Sequence, residues 1–176
     1  MGIQAMTTVA LRPYLPADAD RCAEIFRASV EELASEDYSD DQRAAWAAAA
    51  DDRAAFAARL AKALTLVAVI DGEAVGFASL RGADVLDLVY VDPRFARRGV
   101  GAALIDALAR LAAARGAERL TSDVSDTARP LFERQGFEAQ RRNLVQLDDQ
   151  WLANTTMTKR FTAPRAAAPA PTPTRH

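Results

Sequence analysis

The stretch "VDPRFARRGVGAAL", Val91 to Leu104, sits between an apolar strand pattern and an alanine-rich helix pattern. A helix start carries unpaired backbone N–H groups and partial positive charge. Glycines at that point let the backbone approach an anion closely. Amides from Arg97, Arg98, Gly99, Val100, Gly101 and Ala102 therefore make a candidate pyrophosphate seat, with two arginines beside it. A tight strand-to-helix turn with solvated arginines is the alternative. Two familiar phosphate loops do not fit. The lysine of a GxxxxGK[ST] loop is missing. Gly99-x-Gly101-x-x-Leu104 lacks the third glycine of the dinucleotide fingerprint.

Outward from this turn the patterns are regular. Upstream, "LTLVAVIDGEAVGFASL" reads as a hairpin closed by Asp71-Gly72, a favoured two-residue turn. "DVLDLVYVD" is a third strand. Downstream, "VGAALIDALARLAAARG" reads as a helix with Val100, Leu104, Leu108 and Leu111 on one stripe and Gly116 after its end. "ERLTSDV" follows as a strand, then "SDTARPLFERQGF" as a short helix closed by Gly136. Two last strands are expected at about 137–147 and 154–161. Before the hairpin, "TVALRPY" reads as a strand. "PADADRCAEIFRASVEELA" reads as a helix with Cys22, Ile25, Phe26, Ser29, Val30 and Leu33 at helical spacing. Two short helices come next, with Ser39 and Asp51 or Asp52 as caps and Trp46, Phe56 and Leu60 as buried candidates.

A hairpin demands antiparallel pairing, and the strand–helix–strand unit from Val85 to Val124 demands a parallel pair. The predicted architecture is an α/β fold of the α+β type, a mixed sheet with helices on both faces. The domain is expected over residues 6–161. Residues 162–176, "TAPRAAAPAPTPTRH", are Pro/Ala-rich and expected to be disordered.

Composition narrows the chemistry. The chain has 176 residues, 50% apolar and 26% charged, which suits one globular domain. A net charge of −2 does not suggest a nucleic-acid surface. Neither a membrane-spanning run nor a secretory leader pattern is visible, so a cytoplasmic protein is expected. One cysteine, Cys22, and one histidine, His176, cannot build a zinc site, so no metal is expected. His176 ends the expected tail, which takes Ser-His and Cys-His chemistry out of the fold.

"VDPRFARRGVGAALIDAL" resembles the acyl-CoA-binding motif of the GNAT superfamily of bacterial and other N-acetyltransferases. "LRPYLPADAD" is similar to the family's first strand and helix start, and "SDTARPLFERQGF" to its late helix-and-turn motif. The resemblance spans about residues 9–161 and is nearest to the YafP-like bacterial branch. It implies a mostly antiparallel sheet of about seven strands, with one parallel pair splayed to admit acetyl-CoA as cosubstrate. It further implies direct acetyl transfer to the primary amine of a small molecule or peptide, with a homodimer as a common assembly. By the same likeness, the coenzyme arm would run along Val89, Tyr90 and Val91, and its pyrophosphate would meet the turn after Ala96. Arg129 and Arg134 could reach its 3′-phosphate. Two positions depart from the family pattern. Ala96 replaces a Gln or Arg. Phe132 stands where many members carry a tyrosine proposed to protonate the departing thiolate, and Ser125 replaces an Asn nearby. Phe132 favours the alternative function, a non-catalytic acyl-CoA-binding module.

Acetyl transfer can use a base for the ammonium proton. Asp87 is the first candidate, because strict alternation places it on one face with Val85, Val89 and Val91, where an unpaired carboxylate titrates high. A structural ion pair is its other reading. Asp123 is the second candidate, and otherwise a turn residue. Tyr38, Trp46, Trp151 and Asn154 are candidates for the acceptor wall, and otherwise packing or turn residues.

Overall fold

Asp71 and Gly72 both adopt positive φ, 49° and 79°, and close the hairpin around which the sheet is built. The computed structural model describes residues 8–162, so most of the Pro/Ala-rich segment, with His176, lies outside the described residues. The strands are β1 (Ala10–Pro13), β2 (Leu64–Ile70), β3 (Glu73–Arg81), β4 (Val85–Val91), β5 (Arg119–Ser125), β6 (Glu138–Leu147) and β7 (Gln150–Arg160). The helices are α1 (Ala19–Ala28), α2 (Asp40–Ala47), α3 (Arg53–Lys62), α4 (Val100–Ala114) and α5 (Arg129–Arg134). The seven strands form one sheet in the order β1-β2-β3-β4-β5-β7-β6. Every pairing is antiparallel except β4 with β5.

Local chemistry accounts for the element ends. Ser39 accepts from the Gln42 amide while the Gln42 side chain bonds back to Ser39, a capping box that starts α2. Asp52 accepts from the Ala55 amide and starts α3. Asp18 does not cap α1. Its carboxylate is taken by the Arg12 guanidinium, at 2.7 and 2.8 Å, and by the Leu15 amide. The end of α1 widens into a π-type turn, Ser29–Leu33.

Two apolar layers sandwich the sheet. On one face α4 and α5 bury Val100, Leu104, Ile105, Leu108 and Phe132 against Val75, Ala78, Leu86, Leu120, Val124 and Met157. On the other, α1 and α3 bury Cys22, Ile25, Phe26, Phe56 and Leu60 against Val67, Phe77 and Leu88. Burial pushes the Cys22 thiol up to about 12, so it is a core residue and stays protonated. The stripe of α4 differs from the expected one at its end. Leu111 is 36% exposed, and Ile105, Ala109 and Ala112 take the buried positions. A 3.6-residue repeat drifts off a strict four-residue spacing, and the sheet selects the drifted stripe.

Two features of β4 shape everything that follows. Its parallel ladder with β5 registers at Val85 and Thr121 and goes no further. The Ser122 hydroxyl donates to the Leu86 carbonyl at 2.7 Å beside that point, and beyond it the strands diverge. A bulge also interrupts β4. Leu80 pairs with Leu86 and Ser79 with Leu88, so Asp87 is the extra residue.

Candidate functional site

The divergence of β4 and β5 opens a cleft of about 510 Å³. Val89, Tyr90 and Val91 line it from β4, and Ser125 from the end of β5. Thr127, Ala128, Leu131, Phe132, Arg134 and Gln135 close one side around α5. Ser29, Val30, Leu33 and Ala34 of the π-type turn, with Trp46 of α2, close the other.

The mouth is the turn before α4. Arg97 and Gly99 have positive φ, 61° and 81°, with Arg98 between them. Such alternation turns successive N–H groups toward one point and makes an anion-binding concavity. The first backbone bond of α4 runs from the Ala103 amide to the Gly99 carbonyl. The amides of Val100, Gly101 and Ala102 therefore have no partner inside the helix. Gly101 lets α4 sit close to α5, because a Cβ there would meet Leu131 Cδ2 at 2.9 Å. Gly76 on β3 seats the helix start, since a Cβ there would meet Val100 Cγ1 at 2.9 Å.

Asp92 fixes the strand end that feeds this turn. It is 5% exposed and accepts from Arg21, from the Arg94 side chain and from the Arg94 amide. Burial alone would raise its pKa, but these bonds outweigh burial and hold the carboxyl at about 2. Arg94 and Arg98 both stack over the Phe95 ring at 5.4 Å.

Most of the residues expected to meet a coenzyme meet here. Val89, Tyr90, Val91, Ala96, Arg97, Gly99, Val100, Gly101, Ala102, Ser125 and Phe132 all line the cleft. Arg98 stands beside it on Phe95. Arg134 lines it, whereas Arg129 is bound to Glu133 one helical turn on. Phe132 is buried and packs edge-on against Phe137, with ring centroids 4.9 Å apart.

The carboxylates expected as bases stand elsewhere. Because of the bulge, Asp87 does not share a face with Val89 and Val91. Those valines pack toward α4, while Leu88 and Tyr90 pack toward α1 and α3. Asp87 turns to α3 and is held by Arg59 through two bonds of 3.0 Å, with Arg81 at 3.7 Å. The premise of an unpaired carboxylate among valines therefore fails. Asp123 is exposed and accepts from the Thr156 hydroxyl at 2.6 Å. Neither residue is among those lining the cleft.

Of the expected acceptor residues, Trp46 lines the cleft and donates from Nε1 to the Tyr90 hydroxyl at 3.2 Å. Tyr38 is instead a brace. Its hydroxyl donates to the Ala153 carbonyl and accepts from the Asp126 amide, tying three segments together. Trp151 and Asn154 do not precede the last strand but lie within it, because β7 starts at Gln150 after the short Asp148-Asp149 turn. Trp151 is 54% exposed, and Asn154 accepts from the Asn143 side chain across the β6–β7 pair. Val30, Leu33 and Ala34 are the wall residues that the sequence hid. Their helical spacing reads as ordinary core. Among the described residues, no group of three or more His, Cys, Asp or Glu is placed to hold a metal ion.

Comparison with known proteins agrees with this geometry. The model of the acetyltransferase (GNAT) domain matches residues 34–161. The uncharacterized N-acetyltransferase YafP of Escherichia coli (strain K12) is 36% identical over 152 residues, 86% of this chain and 96% of that protein. A crystal structure of a GCN5-related N-acetyltransferase from Rhodopseudomonas palustris superposes with a TM-score of 0.87 at 55% identity, covering 91% of this chain and all, 100%, of the other. At 15% identity the PaiA N-acetyltransferase of Thermoplasma acidophilum, solved with coenzyme A, shares the fold with a TM-score of 0.73, covering 88% of this chain and 99% of the other.

Proposed function

Because the chain belongs to the GNAT family of acetyltransferases, we propose that it moves the acetyl group of acetyl-CoA directly to a primary amine. One observation carries the reading of the cosubstrate. The left-handed Arg97 and Gly99 and the unpartnered amides of Val100, Gly101 and Ala102 stand at the mouth of the cleft between β4 and β5. Those amides, with Arg97 and Arg98, would hold the pyrophosphate. The backbone of Val89, Tyr90 and Val91, freed from β5 by the divergence, would pair with the pantetheine arm as an added strand does. Arg134, which lines the cleft, would meet a further phosphate. The loss of a side chain at Ala96 matters little to a seat made of amides.

Transfer asks for proximity and for donors toward the developing oxyanion. Free N–H groups on β4 would supply the donors. The neutral amine attacks the thioester carbon and forms the C–N bond, its surplus proton passes to water, the C–S bond breaks, and the sulfur leaves with the electron pair. Its proton comes from water, since Phe132 has none to give.

Calorimetric titration with acetyl-CoA, with NAD as the comparison ligand, tests the reading. Acetyl-CoA alone should bind. Gly99→Val should weaken binding by at least about tenfold, because a β-branched residue at φ 81° costs about 1–2 kcal/mol and re-aims the amides. Unaltered affinity would sink this account of the turn. The second reading, a module that binds acyl-CoA without catalysis, is favoured by Phe132 alone. Tight binding with no coenzyme A release from any amine would select it.

A further inference from the structure

Resting on that reading, we propose that the acceptor is an arylamine, a flat apolar molecule whose nitrogen is already neutral near physiological pH. The wall of the cleft opposite α5 is built from Val30, Leu33, Ala34, Trp46 and Tyr90. Its aromatic part is set in advance. Trp46 donates to the Tyr90 hydroxyl and stands edge-on to Tyr38 and Tyr90, with centroids 5.4 and 6.4 Å away. Tyr90 in turn stands edge-on to Phe26 at 4.6 Å. A rigid aromatic wall suits a flat ring, which gains both burial and oriented contact there.

Among the described residues, no carboxylate lines the cleft. Asp87 is held by Arg59, Asp126 by Arg142, and Asp123 and Asp37 accept from Thr156 and Thr127. An ammonium ion on this wall would exchange its water for cation–π attraction alone. Its desolvation costs more than that attraction returns, so the exchange is unfavourable. A neutral arylamine escapes that cost. It also needs no base before attack, because its lone pair is free. After attack, its surplus proton passes to water at the mouth, and the departing sulfur takes the electron pair and then a proton from water. The Tyr90 hydroxyl accepts from Trp46. Burial holds that phenol up at about 12, so it remains protonated throughout.

The competing acceptor is a polyamine, drawn by the exposed Glu31 and Glu32 beside this wall. Binding to the full-length protein saturated with coenzyme A separates the two. Para-toluidine, benzylamine and spermidine are titrated in turn, and coenzyme A release from acetyl-CoA is then followed with each. Para-toluidine should bind and turn over at least about tenfold better than the two basic amines, the discrimination one apolar pocket group supplies. Trp46→Ala should cost para-toluidine about tenfold in affinity, while Trp46→Phe keeps most of it and both keep acetyl-CoA binding within about threefold. Preference for spermidine or benzylamine, or an indifferent Trp46→Ala, overturns the proposal while the acetyl-CoA reading stands. Failure of acetyl-CoA itself to bind overturns both.

Discussion

Arg59 of α3 grips Asp87 of β4 with two hydrogen bonds of 3.0 Å, and this pair closes the bulge that turns Asp87 away from Val89. The side chain of Asp87 is 12% exposed and that of Arg59 46%. Such a half-exposed pair is worth about 1 kcal/mol. Asp87→Asn should therefore lower the unfolding midpoint slightly and leave the pH–rate profile of acetyl transfer as it was. Loss of a limb of that profile would restore Asp87 as the base.

Asp92 ties acid stability to the turn before α4. Its folded pKa, about 2, lies below the ordinary aspartate value of about 3.9. A depressed carboxylate contributes stability that is complete above the unfolded pKa and lost as the pH falls through the folded one. The window thus runs from about pH 4 down to about pH 2, and the contribution is at most about 2.5 kcal/mol. Asp18 and Asp126, also lowered by arginine partners, add in the same direction. Asp92→Asn should flatten the urea midpoint against pH in that window. An unchanged slope would mean that Asp92 is not the group lost.

Gly76 tests how closely α4 must sit. A methyl group there meets Val100 Cγ1 at 2.9 Å and the Tyr90 carbonyl at 3.1 Å, and the carbonyl cannot yield. Gly76→Ala should destabilise the fold by about 1–3 kcal/mol through overpacking. It should also weaken acetyl-CoA binding, since Val100 carries the first of the unpartnered amides. Wild-type stability and affinity together would show that the helix start tolerates displacement.

Local rules explain why much of this was legible. Ser39, Asp52, Asp71-Gly72, Gly116 and Gly136 act within a few residues of themselves, so capping and turn chemistry found them. The glycine turn before α4 is legible for the same reason. Asp87 was misread because a bulge is a property of two strands in register, and alternation on one strand cannot reveal it. Tyr38 looked like a wall residue, yet its partners are 88 and 115 residues away. Val30, Leu33 and Ala34 share the helical spacing of Cys22 and Phe26. Only the divergence of β4 from β5 turns them from core into cleft.

Phe132→Tyr tests how the sulfur leaves in the proposed transfer. Phe132 lines the cleft with its ring buried on Phe137, and Phe132→Tyr tests whether a hydroxyl added there serves as a general acid. General acids commonly contribute about 10²–10⁴-fold. A thiol with a pKa near that of free cysteine, about 8.5, needs far less help near neutral pH. The expected gain in kcat is therefore under about tenfold. The new hydroxyl should lower stability by about 1–3 kcal/mol if it finds no partner. Single-turnover kinetics and thermal unfolding of the variant measure both. A rise of about a hundredfold, with a new alkaline limb in kcat, would mean that the native cleft is limited by protonation of the leaving group. Water would then be a poor substitute for the missing tyrosine.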